Sequence, residues 1–329
     1  MKIIIAPQSF KGSLTAKEAT KIISDCARNI FPESDLIGIP IADGGDGTLE
    51  TIIDATNGKI MNSQVKGPDN SVVQASWGLF NSEKNEKTGI IEMARASGLA
   101  MIDPKNLDPF NSTSFGTGEL ILDAVKNGAK KIILGIGGSA TNDCGIGVAK
   151  AVGIRFLDSK NKEVGNNVSN FSNIKKINLD KFNSQLNDIK FEVACDVTNK
   201  LCGKEGASYI YGPQKGASAE DVKILDKNLL HIGNLIEKDL GVNVLDIKGG
   251  GAAGGLGAGM VAFFGAKLRP GVDIIFDTLS VEEKIKDADL IITGEGQFDI
   301  SSTYNKAPAA IAKLGKKYNI PTIGISGSF

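Results

Sequence analysis

Ile3 to Phe31, IIIAPQSFKGSLTAKEATKIISDCARNIF, holds in one stretch the unit from which the rest of the chain is built. An apolar strand, Ile3-Ile4-Ile5-Ala6, runs into a polar loop, Ser9-Phe10-Lys11-Gly12-Ser13, and then into a helix from about Ala16 to Phe31. The helix is legible because Ala19, Ile22, Ile23, Cys26, Ala27 and Ile30 recur on one face. Its start is legible too. Thr15 followed three residues later by Glu18 is the pattern of a capping box. The loop therefore sets a cation and two hydroxyls at a helix N-terminus.

The same unit recurs along the chain. Leu36 to Ile41 leads through Ala42-Asp43-Gly44-Gly45-Asp46-Gly47 into a helix from about Thr48. Ile132 to Leu134 leads through Gly135-Ile136-Gly137-Gly138-Ser139-Ala140-Thr141-Asn142-Asp143 into another. Leu290 to Thr293 leads through Gly294-Glu295-Gly296-Gln297-Phe298-Asp299 into Ala307 to Lys317, and a last strand covers Thr322 to Ile325. Alternating strands and helices predict an α/β protein with mostly parallel sheets, whose polar loops gather at one sheet edge. Val65 to Met93 and Phe191 to Tyr211 show strand patterns without regular helices, which predicts a second domain of mixed topology.

The acidic loop carries two carboxylates three residues apart among three glycines, so its backbone can approach a ligand closely. Asp43 and Asp46 suit a divalent cation or a hydroxyl losing its proton, and equally suit capping of the next helix. Together with Lys11 on phosphate they point to phosphoryl transfer. At 329 residues, two domains are expected. Lys and Arg number 37 against 38 acids, which gives no field for nucleic acid or an anionic membrane. No apolar run approaches the roughly 20 residues of a membrane span, and no signal peptide precedes Lys2-Ile3-Ile4-Ile5. The four cysteines show no C-x-x-C spacing and there is one histidine, so the usual zinc sites are excluded and a reducing cytoplasm fits. His231 lies beside the apolar stripe Val222, Leu225, Leu229, Ile232 and Ile236 and reads as structural, which leaves a carboxylate as the general base.

Nucleotide signatures are sparse in this chain. Neither G-x-x-x-x-G-K-[ST] nor the protein-kinase loops occur. Gly135 to Ala140 matches G-x-G-x-x-A after a strand, with Asp158 ending the next apolar run, which is the pattern of an NAD site. Against it, the following helix opens Asn142-Asp143-Cys144-Gly145, a poor surface for close helix–sheet packing. A second match, at Gly249, Gly251 and Gly254, lies in the run Gly249 to Gly259 and reads equally as close backbone packing. Anion binding by the amides of the Gly137 to Asn142 loop is the broader expectation.

At this point longer strings carry the reading. SFKGSL (Ser9 to Leu14), PIADGGDGT, EMARASGL (Glu92 to Leu99), TGELI (Thr117 to Ile121) and GIGGSATND resemble the bacterial-type glycerate kinases. CDVTNKLCG (Cys195 to Gly203), GPQKGA (Gly212 to Ala217), GAAGGLGAG (Gly251 to Gly259), LRPG (Leu268 to Gly271) and DLIITGEG (Asp289 to Gly296) continue the likeness in order along the whole chain. The resemblance implies phosphorylation of D-glycerate by ATP with Mg2+, at the 2-hydroxyl in preference to the 3-hydroxyl. It also implies a flavodoxin-like domain of residues 1–64 plus 257–329, with a mixed α/β domain, 65–256, inserted. A cytoplasmic protein acting on a small molecule, alone or as a homodimer, follows from it.

Residue by residue, the resemblance makes Lys11, Asp43 and Asp196 catalytic candidates, with Asp196 or Asp43 accepting the hydroxyl proton and Asp43 and Asp46 on magnesium. Ser9, Ser13, Gly44, Gly45, Gly137, Gly138, Ser139, Thr141, Asn142, Glu295 and Asp299 are the candidates for holding substrate and phosphate. Three departures stand out. Gln8 replaces the aspartate usual in the first loop. After Gly296, Asp299 and Lys306 keep their places in the family's D-x-Q-[ST]-x-x-G-K, whereas Ser301 and Asn305 replace its Gln and Gly. Family members also continue for another α/β unit beyond the last strand. A non-catalytic binding relative and an NAD dehydrogenase are the rival readings.

Overall fold

The computed structural model describes residues 1–10, 12–42, 45, 47–82, 85–298 and 307–328. Lys11, Asp43, Gly44, Asp46, Asp299, Ser302, Lys306 and the two altered positions Ser301 and Asn305 lie outside them. Along the chain the elements are β1 (Lys2–Pro7), α1 (Ala16–Ile30), β2 (Asp35–Gly38), α2 (Thr48–Thr56), β3 (Lys59–Lys66), β4 (Val72–Asn81), β5 (Lys87–Glu92) and α3 (Ala94–Ser97). They continue as α4 (Phe115–Lys126), β6 (Lys131–Gly135), α5 (Ile146–Ala151), β7 (Arg155–Leu157), β8 (Lys176–Asn178), β9 (Lys190–Ala194), α6 (Ala207–Tyr211) and α7 (Ala219–Leu240). The last are α8 (Ala252–Phe264), β10 (Lys267–Arg269), α9 (Gly271–Thr278), α10 (Val281–Ile285), β11 (Leu290–Gln297), α11 (Ala307–Tyr318) and β12 (Thr322–Ser328). Two compact units result, one from residues 1–58 and 270–329 and the other from 59–269.

The first unit is an all-parallel sheet in the order β2-β1-β11-β12. Counting strands within the unit, this is the 2-1-3-4 order of a flavodoxin-like sheet. Ile3, Ile4 and Ile5 are fully buried in central β1, as expected where helices cover both faces. Each such side chain contributes about 1.5–3 kcal/mol. The capping box at Thr15 is present, with Glu18 N donating to Thr15 Oγ1 at 3.2 Å and Thr15 N to Glu18 Oε2 at 2.9 Å. On β12, Ile323 and Ile325 are substantially exposed.

One boundary needs correction. Gly294-Glu295-Gly296-Gln297 reads as a loop in the sequence, but β11 runs through it, with Glu295 opposite Ser326 and Gln297 opposite Ser328. Glycine makes this possible: a Cβ at Gly294 would sit 2.3 Å from the Ile325 carbonyl oxygen.

The second unit has a six-stranded sheet, β10-β9-β6-β5-β4-β3, parallel from β10 to β5 and antiparallel at β4 and β3. β7 and β8 form a separate antiparallel pair. The mixed topology matches the sequence reading, except that α6 places a short helix inside Phe191 to Tyr211. The core includes Trp77, Phe156, Phe171 and Phe191. Trp77, the one tryptophan of the chain, is fully buried and donates to Ser63 Oγ at 2.9 Å and Asp123 Oδ2 at 3.1 Å. His231 is structural, its Nε2 lying 2.8 Å from the Ile174 carbonyl.

Candidate functional site

In the first unit the loop after β1 closes a tight turn, Ser13 N donating to Phe10 O at 2.9 Å and Leu14 pairing back to Phe10. The chain after β2 still runs beside β1, since Ile41 N donates to Pro7 O at 3.0 Å. Between these segments and helices α1 and α2 lies a cavity of about 620 Å³. Leu14, Ile41 and Ala42 give it apolar walls, and Ser9, Ser13 and Thr15 bring hydroxyls to it. Its size is that of a small-molecule site. Among the described residues no group of three or more His, Cys, Asp or Glu is arranged to hold a metal ion. The carboxylate pair suited by its chemistry to magnesium, Asp43 and Asp46, is outside that set. Glu295 is buried within β11, so it belongs to the strand rather than to a solvated loop.

In the second unit, register aligns the ends of four parallel strands. Glu92 pairs with Gly135, Gly135 with Ala194, and Ala194 with Arg269. The segments leaving that row carry the polar candidates. Asp196 sits two residues past β9 and is exposed; Gly137 sits two residues past β6 and is exposed. At the row itself Glu92 and Arg95 are paired at 2.6 Å, and Arg95 also donates to Ser76 Oγ at 2.8 Å.

The loop from Ile136 to Gly145 is held from several sides. Leu99 N donates to Gly138 O at 2.7 Å and Ala140 N to Ser97 O at 3.0 Å. Behind it, the glycines of α8 let backbone meet backbone: a Cβ at Gly254 would lie 2.0 Å from Thr141 O, and one at Gly259 2.2 Å from Cys144 O. The stretch Asn142 to Gly145 therefore does pack closely, contrary to its reading as a poor surface, because its partner is glycine backbone. Asn142 points inward and donates to Ser208 Oγ at 3.1 Å.

Asp143 and Lys215 organise this loop. The Asp143 carboxylate accepts from Ser114 N at 3.0 Å, Ser114 Oγ at 2.7 Å, Gly145 N at 3.0 Å and Gly147 N at 3.1 Å, which occupies the start of α5. Lys215 is 2 % exposed. Its Nζ donates to Ser139 Oγ at 2.9 Å and Thr141 O at 2.7 Å. Burial pushes its ammonium down to about 7, against the opposing pull of Asp143.

The NAD reading fails on topology. An NAD site needs the acidic residue at the end of a strand beside the first one in the same sheet. Here the strand following β6 is β7, which pairs with β8 in a separate two-stranded sheet. Asp158 is a turn residue, accepting from Lys160 N at 2.7 Å and Lys162 N at 2.9 Å. The second glycine match is the packing face of α8 just described.

A sequence model of the glycerate kinase family matches residues 3–329. The chain belongs to the glycerate kinase family. It is 47% identical over 328 residues to the glycerate 2-kinase of Escherichia coli K12, covering all of this chain and 85% of that protein. It is 44% identical to the glycerate kinase of Halalkalibacterium halodurans, covering 99% of this chain and 85% of that one. A crystal structure assigned as glycerate kinase 2 from Salmonella typhimurium LT2 superposes with a TM-score of 0.95 at 46% identity, over all of this chain and 87% of that one. The chain is thus an enzyme of the kinase class, and a non-catalytic binder is not supported.

For this glycerate kinase family member, the strings that carried the resemblance acquire positions. EMARASGL supplies Ser97 O and Leu99 N to the Gly137 loop, and Thr117 of TGELI meets Ser97, their hydroxyl oxygens 2.9 Å apart. GPQKGA supplies Lys215, and GAAGGLGAG supplies the packing glycines. Sequence reasoning missed Lys215 and Asp143 as individual residues. The available signal was the GPQKGA string itself, a lone lysine in a turn between glycines.

Proposed function

We propose that this kinase transfers the γ-phosphoryl group of ATP to the 2-hydroxyl of D-glycerate, giving 2-phosphoglycerate. The observation that carries the reading is the match to a glycerate 2-kinase over the full chain. Magnesium bound by Asp43 and Asp46 would offset the charge developing on the phosphoryl oxygens. Lys11, with Ser9, Ser13 and the loop amides, would hold phosphate. Gly44 and Gly45 would let backbone approach it. Asp196 would orient the glycerate hydroxyl and take its proton, with Asp43 the alternative acceptor. The Gly137 to Asn142 loop would receive an anionic group, and Glu295 within β11 and Asp299 after it in the sequence would contribute contacts.

On this reading the two units, 1–58 with 270–329 and 59–269, act as the two domains of a cytoplasmic enzyme. The reaction requires no large conformational chemistry from the protein beyond positioning and charge neutralisation, as is general for phosphoryl transfer. The test is a coupled assay with ATP, magnesium and D-glycerate, with the product's phosphate position assigned by phosphorus NMR. Turnover only with all three present, giving the 2-phosphate, is the expected result. Turnover in excess chelator, or none at all, would overturn it.

A further inference from the structure

We infer that Lys215 is a positioning residue that shapes and charges the Gly137–Thr141 loop as a receptor for a substrate oxyanion. This deepens the kinase reading above and rests on it.

A buried ammonium is costly unless matched by charge or well hydrogen-bonded, and in a purely structural role an apolar side chain of similar volume would serve as well or better. Lys215 lacks such a match. Its two hydrogen bonds go to neutral oxygens, Ser139 Oγ and Thr141 O. Asp143 is the titratable group that acts on it, and the Asp143 carboxylate is already engaged by Ser114, Gly145 and Gly147. Below about pH 7, positive charge is therefore left against Ser139 and Thr141 of the loop.

The loop also has amide donors left over. Gly137 and Gly138 are exposed, and the backbone hydrogen bonds that hold this loop use the Gly138 carbonyl and the Ala140 amide but neither the Gly137 nor the Gly138 amide. Gly138 takes the left-handed conformation at φ 68°, and a Cβ at Gly137 would meet nothing within 4 Å. The face is open. In addition, Thr141 Oγ1 is buried without a hydrogen-bond partner among the described residues. A buried ammonium bonded to the loop, two exposed glycines whose amides those bonds leave unused and a buried unsatisfied hydroxyl, all within five residues, make a site that an oxyanion completes. Two groups of the proposed reaction have this chemistry, the glycerate carboxylate and the nucleotide phosphates.

The experiment is steady-state kinetics of wild type, Lys215→Met and Ser139→Ala between about pH 6 and 9, with Trp77 fluorescence to check folding. In Lys215→Met we expect KM for one substrate to rise about tenfold or more, the scale of one lost charged hydrogen bond, while the other KM stays within about twofold. A rise for D-glycerate identifies the carboxylate as the ligand, and a rise for ATP the phosphates. Ser139→Ala should move the same KM in the same direction. The wild-type KM should also climb as pH passes about 7, and Lys215→Met should lose that slope. Unchanged KM values in the folded variant, or a fall in kcat alone, would overturn the inference. Should Lys215→Met fail to fold, Ser139→Ala decides by the same criterion. If wild type lacks turnover, the kinase reading falls by itself. Calorimetric titration of D-glycerate and of ATP into wild type and variant then tests the receptor, which stands only if the variant loses affinity for one of them.

Discussion

The carboxylate of Asp143 receives both the amide and the hydroxyl of Ser114, 29 positions earlier in the chain, at 3.0 and 2.7 Å. It thereby ties the start of α4 to the start of α5. Asp143→Ala would strand the amides of Ser114, Gly145 and Gly147 in a buried setting. Each such group costs about 1–3 kcal/mol, so a loss on the order of 3 kcal/mol or more is expected in urea unfolding. A change below about 1 kcal/mol would mean that water replaces the carboxylate.

Burial of Lys215 makes the stability of the fold depend on pH. Its pKa is about 7 when folded, against a reference near 10.4 in the unfolded chain, so unfolding takes up a proton between those values. The burial penalty is fully present below about pH 7 and fades as pH rises toward about 10.4. The stability of wild type relative to Lys215→Met should therefore increase with pH across that window. A flat or falling difference would show that Lys215 is not charged in the unfolded chain alone.

Asp43→Asn and Asp46→Asn separate metal binding from helix capping, because Asn caps as well as Asp. Both substitutions should lower kcat strongly and weaken the dependence on magnesium concentration. Lys11→Met should cost on the order of 100-fold in kcat/KM, comparable to losing one preorganised donor. Near-normal kinetics would return these residues to the surface.

Gly254→Val places a branched side chain where even a Cβ would lie 2.0 Å from Thr141 O, at φ 65°. The expected outcome is displacement of the Gly137–Asn142 loop, read as a destabilisation of about 1–3 kcal/mol and a rise in KM. Gly137→Ala, where space is open, should leave stability unchanged within about 0.5 kcal/mol.

Much of the fold is legible because local signals agree with it. Thr15 and Glu18 announce α1, and the isoleucines of β1 announce a strand buried on both faces. β11 is misjudged at its end because Gly-Glu-Gly is turn chemistry in isolation and becomes strand only when β12 pairs with it. The site divides in the same way. Gly137 and Gly138 declare themselves by composition, whereas Lys215 looks like any surface lysine until tertiary packing buries it. Asp143, likewise, gains its partners from Ser114, which nothing in the local pattern connects to it.

β1 lies between β2 and β11, and the Thr293 hydroxyl of β11 bonds the carbonyl of Ala6, 287 positions away. A chain leaving the ribosome at roughly 5–20 residues per second must therefore wait some 15–60 s before that partner strand is made. Residues 59–269 are contiguous and can fold in the meantime. During translation the triple isoleucine of β1 thus has β2 for company but lacks its other neighbour, which leaves this central strand among the last to be enclosed and a natural client for a chaperone.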